Sequence, residues 1–281
     1  MPEEQQLVRF RGPDGVHRGQ VIPSEDGYRI SSLESDLSVE VLDSNTLALP
    51  GPYELLLPVE PPEVWCAGVT YERSRDARIE ESGSDVYAKV YDADRPELFL
   101  KDAVCRRTVG PGGTIGVRSD SDWNVPEPEI GLVLGAGGEI TGYTIGNDVS
   151  SRDIEGANPL YLPQAKVYAG ACAIGPAVLV TDERDPVFDL ELVIFDAAGP
   201  ELFRGETSTA RMRRGFGGLA EWLVRDNPVP PGSVLLTGTG LVPPDDFTLR
   251  PGHVVEVRVA GIGTLRNDVA LASDLLERST R

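Results

Sequence analysis

The chain has 281 residues, of which 40% are hydrophobic and 25% charged, the makeup of a globular protein with one or two domains. Aspartate and glutamate number 45 against 26 lysines plus arginines, and the resulting net charge of −19 argues against nucleic acid or anionic membrane surfaces as partners. The first residues, MPEEQQ, are acidic and the longest uncharged stretch is too short to span a bilayer, so we expect a cytoplasmic protein.

From the N-terminus, residues 7–57 alternate short strand-like runs (LVRF, GQVIP, GYRI, VEVL) with polar turns. Pro58, Pro61 and Pro62 then form a stiff linker, which indicates a domain boundary. The apolar run EVWCAGVTY that follows is typical of a buried strand. The charged segments at 71–82 and 85–95 are predicted to be helices over the mouth of a site.

The remainder of the chain is predicted to be mostly β. ELFLK, EIGLVLG, EITGYTI, FDLELVIFD, SVLLTG and VVEVRVAG are strand-like runs, and GAGG at 135–138 and DAAG at 196–199 are predicted hairpin turns. One helix is expected in FGGLAEWLVRDN, before Pro228. The fold class is therefore α+β, mainly β. A small N-terminal α+β domain (1–60) precedes a larger, mainly β domain (61–281).

Lysine is nearly absent from the sequence. The basic residues are arginines except for Lys89, Lys101 and Lys166, and an acidic chain with so few lysines is typical of a halophile's protein. Arginine keeps its proton in proteins, whereas a desolvated lysine can lose one near neutral pH. The three lysines are therefore candidates for roles that arginine cannot fill.

Cysteine offers no metal site, because the three residues are widely spaced and the chain has only two histidines. Cys66 and Cys172 lie in small, apolar contexts and are predicted to be buried packing residues.

Three carboxylates have the spacing of a metal site. Glu127 and Glu129 lie at the start of a predicted strand, where residues i and i+2 share a face. Asp148 ends the next strand, so the GAGG hairpin would bring it alongside them. Carboxylates without histidine or cysteine favour Mg²⁺ or Mn²⁺. The alternative is an acidic, solvated strand face in an acidic protein.

The motifs PEPEIGLVLG and GYTIGNDVSSRDIEG, a lysine about a dozen residues on, and a late TGTG resemble the fumarylacetoacetate hydrolase superfamily in order and spacing. The resemblance covers residues 61–269 and implies a β-rich roll with a smaller N-terminal domain. It also implies that Glu127, Glu129 and Asp148 hold Mg²⁺, with Mn²⁺ as the alternative ion. By the same resemblance, the active-site lysine falls on Lys166. Arg152 then lines the site, and Thr239 meets the substrate carboxylate.

One departure from the family bears on the reaction. Its hydrolases carry a histidine and a glutamate that activate water, and here Ser74 and Ala77 stand at those positions. Hydrolysis by the usual route is therefore not expected.

A subgroup that lacks this dyad dehydrates 2-keto-3-deoxy-D-pentonates, formed from D-arabinonate or D-xylonate, to 2,5-dioxopentanoate. The strings PPEVW, VYDADRPELFLK, VRSDSDW, GANPLYLPQAKVYAG and VRDNPVP resemble it. The subgroup's acid/base glutamate falls on Glu97, and Lys101 is a predicted substrate contact. Lys166 and Glu97 are then the base and the acid, in an order that the sequence leaves open. The role of Lys89 is left open, with packing under the site as the favoured interpretation.

Two other functions remain as alternatives. Within the superfamily the chain could be an acylpyruvate hydrolase or an oxaloacetate decarboxylase, although His17 and His253 fit no catalytic motif. In another class it could be a non-catalytic ligand-binding protein on the same fold. The resemblance further implies a homo-oligomer, a dimer or a tetramer.

Overall fold

In the computed structural model the described residues are 4–72, 86–183 and 185–278. In chain order the strands are β1 (Gln5–Gly12), β2 (Gly15–Ser24), β3 (Gly27–Ser32), β4 (Ser38–Glu40), β5 (Glu54–Leu55), β6 (Glu63–Gly68), β7 (Glu97–Ala103), β8 (Thr108–Val109), β9 (Thr114–Val117), β10 (Asn124–Val125), β11 (Pro128–Leu134), β12 (Ile140–Asp148), β13 (Ser150–Ser151), β14 (Cys172–Val180), β15 (Asp189–Phe195), β16 (Glu201–Ser208), β17 (Val234–Leu236), β18 (Val254–Val259) and β19 (Gly263–Leu271).

The helices are short. They are α1 (Val86–Asp92), α2 (Arg152–Ala157), α3 (Leu162–Lys166), α4 (Phe216–Val224) and α5 (Ala272–Arg278), with single 3₁₀ turns at Pro159–Tyr161 and Thr209–Arg211. Within the described ranges, none of them has the length and apolar composition needed to cross a bilayer. The mainly β fold class is confirmed.

Two sheets dominate the fold. The larger has twelve strands, ten of them in the order β4-β3-β2-β1-β14-β12-β11-β17-β6-β7, with β5 and β8 beside β1 and β14. The smaller runs β16-β15-β18-β19-β9, and β10 pairs with β13. Most neighbours are antiparallel, whereas β17–β6, β14–β8 and β19–β9 are parallel.

The main hydrophobic core contains residues from both sheets and from α4. Apolar side chains alternate along β15, where Leu190, Leu192 and Ile194 are all buried, and they belong to the same cluster as Ile130 and Leu132 of β11. Period-2 alternation predicts this arrangement, because every second side chain of a strand points to the same face. Helix α4 contributes Phe216 and Leu219, among others, to the same cluster.

The predicted turns and the helix after DAAG are confirmed. The GAGG turn joins β11 to β12, and its Gly137 and Gly138 have φ of 88° and 89°, a conformation that side chains with a Cβ disfavour. The DAAG turn joins β15 to β16, and α4 ends at Val224, before Pro228. Of the two charged segments, the second contains α1 as predicted, whereas 73–82 of the first lie outside the described residues.

The N-terminal segment is more purely β than expected. Residues 4–60 contain β1 to β5 and, within this described range, no helix. Two-residue turns at 13–14 and 25–26 join the first strands, which leaves no stretch of helical length between them. Strand β1 also pairs with β14, so these strands extend the larger sheet, although Phe10 and Ile30 belong to a separate apolar cluster. The domain boundary at residue 60 stays a prediction.

Candidate metal centre and active site

The site is built where the ends of five neighbouring strands meet. The end of β12, the start of β11, the end of β17, the end of β6 and the start of β7 lie at one edge of the larger sheet, since β17 is antiparallel to β11 and parallel to β6. Residues distant in the sequence therefore converge there.

The β11–β12 hairpin brings the three predicted carboxylates together. Pro128 pairs with Asn147, and the Asp148 N–H donates to the Glu127 carbonyl at 3.0 Å. Glu127, Glu129 and Asp148 are all buried, and one carboxylate oxygen from each lies within 4.8 Å of the others. An all-carboxylate donor set of this size fits a hard divalent cation such as Mg²⁺ or Mn²⁺. The interpretation as an acidic, solvated strand face is wrong, because these carboxylates are only 1–3% exposed.

Burial and the repulsion between neighbouring carboxylates both disfavour the ionised form of Glu129. Burial raises the pKa of the Glu129 carboxyl well above its usual value, and the charges of Asp148 and Glu127 act in the same direction. Lys166 and the Gly238 N–H, which donates to Glu129 Oε2 at 2.7 Å, oppose the increase in pKa. A bound cation would favour the ionised carboxylates further.

Two buried cations hold the carboxylates from the cavity side. The Lys166 Nζ donates to Glu127 Oε2 at 2.6 Å, to Asp148 Oδ2 at 2.9 Å and to the Ser150 hydroxyl. The Arg152 Nη2 donates to Glu127 Oε1 at 2.8 Å. Lys166 ends the short helix α3 and Arg152 begins α2, so both helices aim a cation at the carboxylate cluster.

A small cavity opens beside this cluster. The three carboxylates, Lys166, Arg152, Glu97 and Thr239 all line it, so seven of the eight predicted site residues meet in one place. The eighth, Lys101, is 1% exposed and is not among the lining residues. Its ammonium pairs with Asp148 Oδ1 and donates to the Val149 carbonyl at 3.0 Å. The substrate contact predicted for Lys101 stays a prediction.

Glu97 reaches the cavity because its neighbour across the sheet is glycine. Glu97, the first residue of β7, pairs with Gly68, the last residue of β6. A Cβ atom on Gly68 would lie 2.0 Å from Glu97 Oε2, and the next two nearest atoms also belong to Glu97. The carboxylate therefore lies directly over the glycine.

The TGTG loop depends on glycine for a different reason. Gly238 has φ of +89°, and a Cβ there would lie 2.1 Å from the Thr70 hydroxyl, which itself donates to the Thr237 carbonyl at 2.7 Å. This close packing presents the Gly238 N–H to Glu129. Thr239 lines the cavity, and its hydroxyl donates to the Leu241 carbonyl at 2.9 Å.

The structure also tests the predictions for the cysteines and for Lys89. Cys66 and Cys172 are fully buried in apolar clusters, as predicted, and burial raises the pKa of Cys172 to about 12. Lys89 is exposed on α1, so the prediction that it packs under the site is wrong. Ser74 and Ala77 lie outside the described residues.

Sequence reasoning missed three contributors to the site. Ser150 contacts Lys166, Gly68 makes room for Glu97, and Glu155 lines the cavity with 2% exposure. Ser150 belongs to the NDVSSRD motif, which could have singled it out. Glu155 follows Arg152 by three residues, a spacing that places both on one helix face. Nothing in the local sequence marks Gly68, because its role depends on a strand pairing.

Comparison with known proteins agrees with this geometry. Residues 63–270 match the family model described as fumarylacetoacetate (FAA) hydrolase C-terminal. The chain is 52% identical over 76% of its length to a probable 2-keto-3-deoxyxylonate dehydratase of Haloferax volcanii, covering 74% of that protein. It is 47% identical over 74% of its length to the 2-dehydro-3-deoxy-D-arabinonate dehydratase of Saccharolobus solfataricus, covering 72% of it.

A solved structure is also similar. It is a 2-keto-3-deoxy-D-arabinonate dehydratase complexed with magnesium and 2,5-dioxopentanoate, with a TM-score of 0.79 and 36% identity over 95% of this chain and 99% of that one. The match of the family model to most of the chain, together with relatives of about half-identical sequence, shows that the chain belongs to the fumarylacetoacetate hydrolase family.

Proposed function

We propose that this protein dehydrates 2-keto-3-deoxy-D-pentonate to 2,5-dioxopentanoate, with Mg²⁺ held by Glu127, Glu129 and Asp148. The observation that carries the proposal is the buried carboxylate cluster in one cavity with Lys166 and Glu97. The names of the two dehydratase relatives and the ligands of the similar structure support the same substrate class.

The proposed chemistry needs one base and one acid. When bound, the metal acts as a Lewis acid that makes the C3 protons of a 2-keto acid easier to remove. Lys166 in its neutral amine form takes a C3 proton, and protonated Glu97 gives a proton to the C4 hydroxyl, which leaves as water. A C3–C4 double bond forms, and the unsaturated product tautomerises to the C5 aldehyde. The roles of Lys166 and Glu97 are interchangeable in this scheme.

Other residues hold the reacting groups in place. Thr239 and Arg152 line the cavity, and we assign Thr239 to the substrate carboxylate. Arg152 fixes the Glu127 carboxylate through a charge-assisted hydrogen bond. Lys101 contacts Asp148 instead of lining the cavity, so we assign it to positioning that carboxylate.

The proposal is tested by supplying 2-keto-3-deoxy-D-pentonate with and without Mg²⁺. We expect 2,5-dioxopentanoate, measured with an NAD(P)-dependent semialdehyde dehydrogenase, and no pyruvate, measured with lactate dehydrogenase. Pyruvate alone would mean cleavage between C3 and C4 and would overturn the proposed dehydration. Silence in both assays would point to another 2-keto acid. Equal turnover in EDTA would remove the metal from the proposal.

Two further assignments are proposals of ours. We expect the protein to work in the cytoplasm and, from the family resemblance, to assemble into dimers or tetramers. Size-exclusion chromatography with light scattering measures the assembly directly.

A further inference from the structure

Glu155 is a buried acid of the cavity that the proposed reaction does not use. Its residue is 2% exposed and lines the same cavity as the carboxylate cluster. It lies on α2, three residues after Arg152, whose guanidinium donates to Glu127 at 2.8 Å. Because residues three apart share a helix face, Glu155 reaches the cavity beside the Arg152–Glu127 pair.

The proposed acid and base reach this cavity from two other elements, Glu97 from β7 and Lys166 from α3. Phe99 follows Glu97 by two residues in β7 and therefore shares its face of the strand. The Lys166 Nζ lies 5.8 Å from the centre of the Phe99 ring. Phe99 and Lys166 are therefore neighbours on the face of β7 that Glu97 shares. Glu155, on α2, is left for a part of the substrate that is not reacting.

We propose that Glu155 accepts a hydrogen bond from the C5 hydroxyl and thereby selects 2-keto acids with a neutral, hydroxylated tail. An ionised carboxylate only accepts hydrogen bonds, so it pairs with a hydroxyl and repels a second carboxylate. Of the five acidic residues that line the cavity, Glu155 is the one that neither belongs to the carboxylate cluster nor serves as the proposed acid. The inference rests on the proposed function, because it assumes that C3 and C4 are the reacting carbons.

Three five-carbon 2-keto acids test the inference, since they differ mainly at C5. The 2-keto-3-deoxy-D-pentonate has a C5 hydroxyl, 4-hydroxy-2-oxopentanoate has a methyl group, and 2-oxoglutarate, used as an inhibitor, has a carboxylate. We expect the wild type to prefer the hydroxyl over the methyl compound by about 10- to 100-fold in kcat/KM, the range for a hydrogen bond to a charged group. Inhibition by 2-oxoglutarate should be weak.

Glu155→Met removes both the acceptor and the charge. The preference for the C5 hydroxyl should fall to within about twofold of unity, and 2-oxoglutarate should inhibit about tenfold more strongly. Glu155→Gln keeps an acceptor oxygen without the charge, so it should restore part of the hydroxyl preference while 2-oxoglutarate still inhibits strongly. As the matched control, Glu97→Gln should lose turnover of both hydroxy acids.

The outcomes separate the inference from the proposed function. A normal thermal midpoint would show that Glu155→Met is folded. If this folded variant turned over both hydroxy acids more slowly by the same factor, Glu155 would not recognise C5 and the inference would be overturned. If the wild type turned over neither hydroxy acid, the dehydratase proposal would fail instead. The calorimetric affinities of wild type and Glu155→Met for 2-oxoglutarate would then still decide the role of Glu155, because unchanged affinity would overturn it.

Discussion

Replacement of Gly68 by alanine should move one carboxylate and little else. The new Cβ would lie 2.0 Å from Glu97 Oε2, whereas Cβ atoms essentially never approach a heavy atom within 3.0 Å. The three atoms nearest to that Cβ all belong to the Glu97 side chain. Because this side chain is flexible, it can retreat, and the carboxylate must shift by about 1 Å or more.

The shift should reduce catalysis while leaving the fold intact. A misplacement of about 1 Å costs on the order of 100-fold in rate, equivalent to about 2.7 kcal/mol in the activation free energy. Gly68 is not among the glycines with positive φ, so alanine is tolerated there and should change the free energy of unfolding by less than about 1 kcal/mol. The affinity for Mg²⁺ should stay unchanged, since no metal-ligand candidate is among the atoms nearest to the new methyl group.

The measurements are kcat, thermal midpoint and calorimetric Mg²⁺ affinity for the wild type and Gly68→Ala. Gly217→Ala is the matched control, because a Cβ at Gly217 meets no atom within 4 Å. Glu97→Asp shortens the acid by one methylene, so the added methyl should cost less activity in that background than in the wild type. A folded Gly68→Ala enzyme with a near-normal kcat would refute the claim that catalysis depends on the position of Glu97.

Three further predictions concern the metal, the lysines and the charge. Glu127→Gln should weaken Mg²⁺ binding by at least about 100-fold, more than the loss expected for a residue that only supports a metal ligand, and it should abolish turnover. A wild-type Mg²⁺ affinity by calorimetry would contradict this. Lys166→Arg should lower kcat by several orders of magnitude, because a guanidinium group does not act as a base at neutral pH. The control Lys89→Arg, on exposed α1, should leave kcat unchanged. Equal kcat values for Lys166→Arg and the wild type would show that Lys166 is not the base. With a net charge of −19, the protein should melt higher in about 2 M than in about 0.05 M KCl, and equal midpoints would remove the halophile interpretation.

Local sequence determined the strands and the carboxylate cluster. Alternating apolar residues set the strand faces, and the glycines of the GAGG turn set the hairpin that joins β11 to β12. With the hairpin in place, the spacing of Glu127, Glu129 and Asp148 brings all three carboxylates together. This is local information, because hairpin pairing follows from the turn and from the period of two.

Tertiary structure decided which other groups join the cluster. The Gly238 N–H donates to Glu129 from 109 residues away, and Glu97 lies over Gly68 because β7 returns beside β6 after a segment of about thirty residues. The lysine composition marked three candidates, but only the packing of α3 and β7 separates the buried Lys166 and Lys101 from exposed Lys89. Such contacts depend on the order of strands in the sheet. No local pattern encodes that order, which is why sequence alone did not find Gly68.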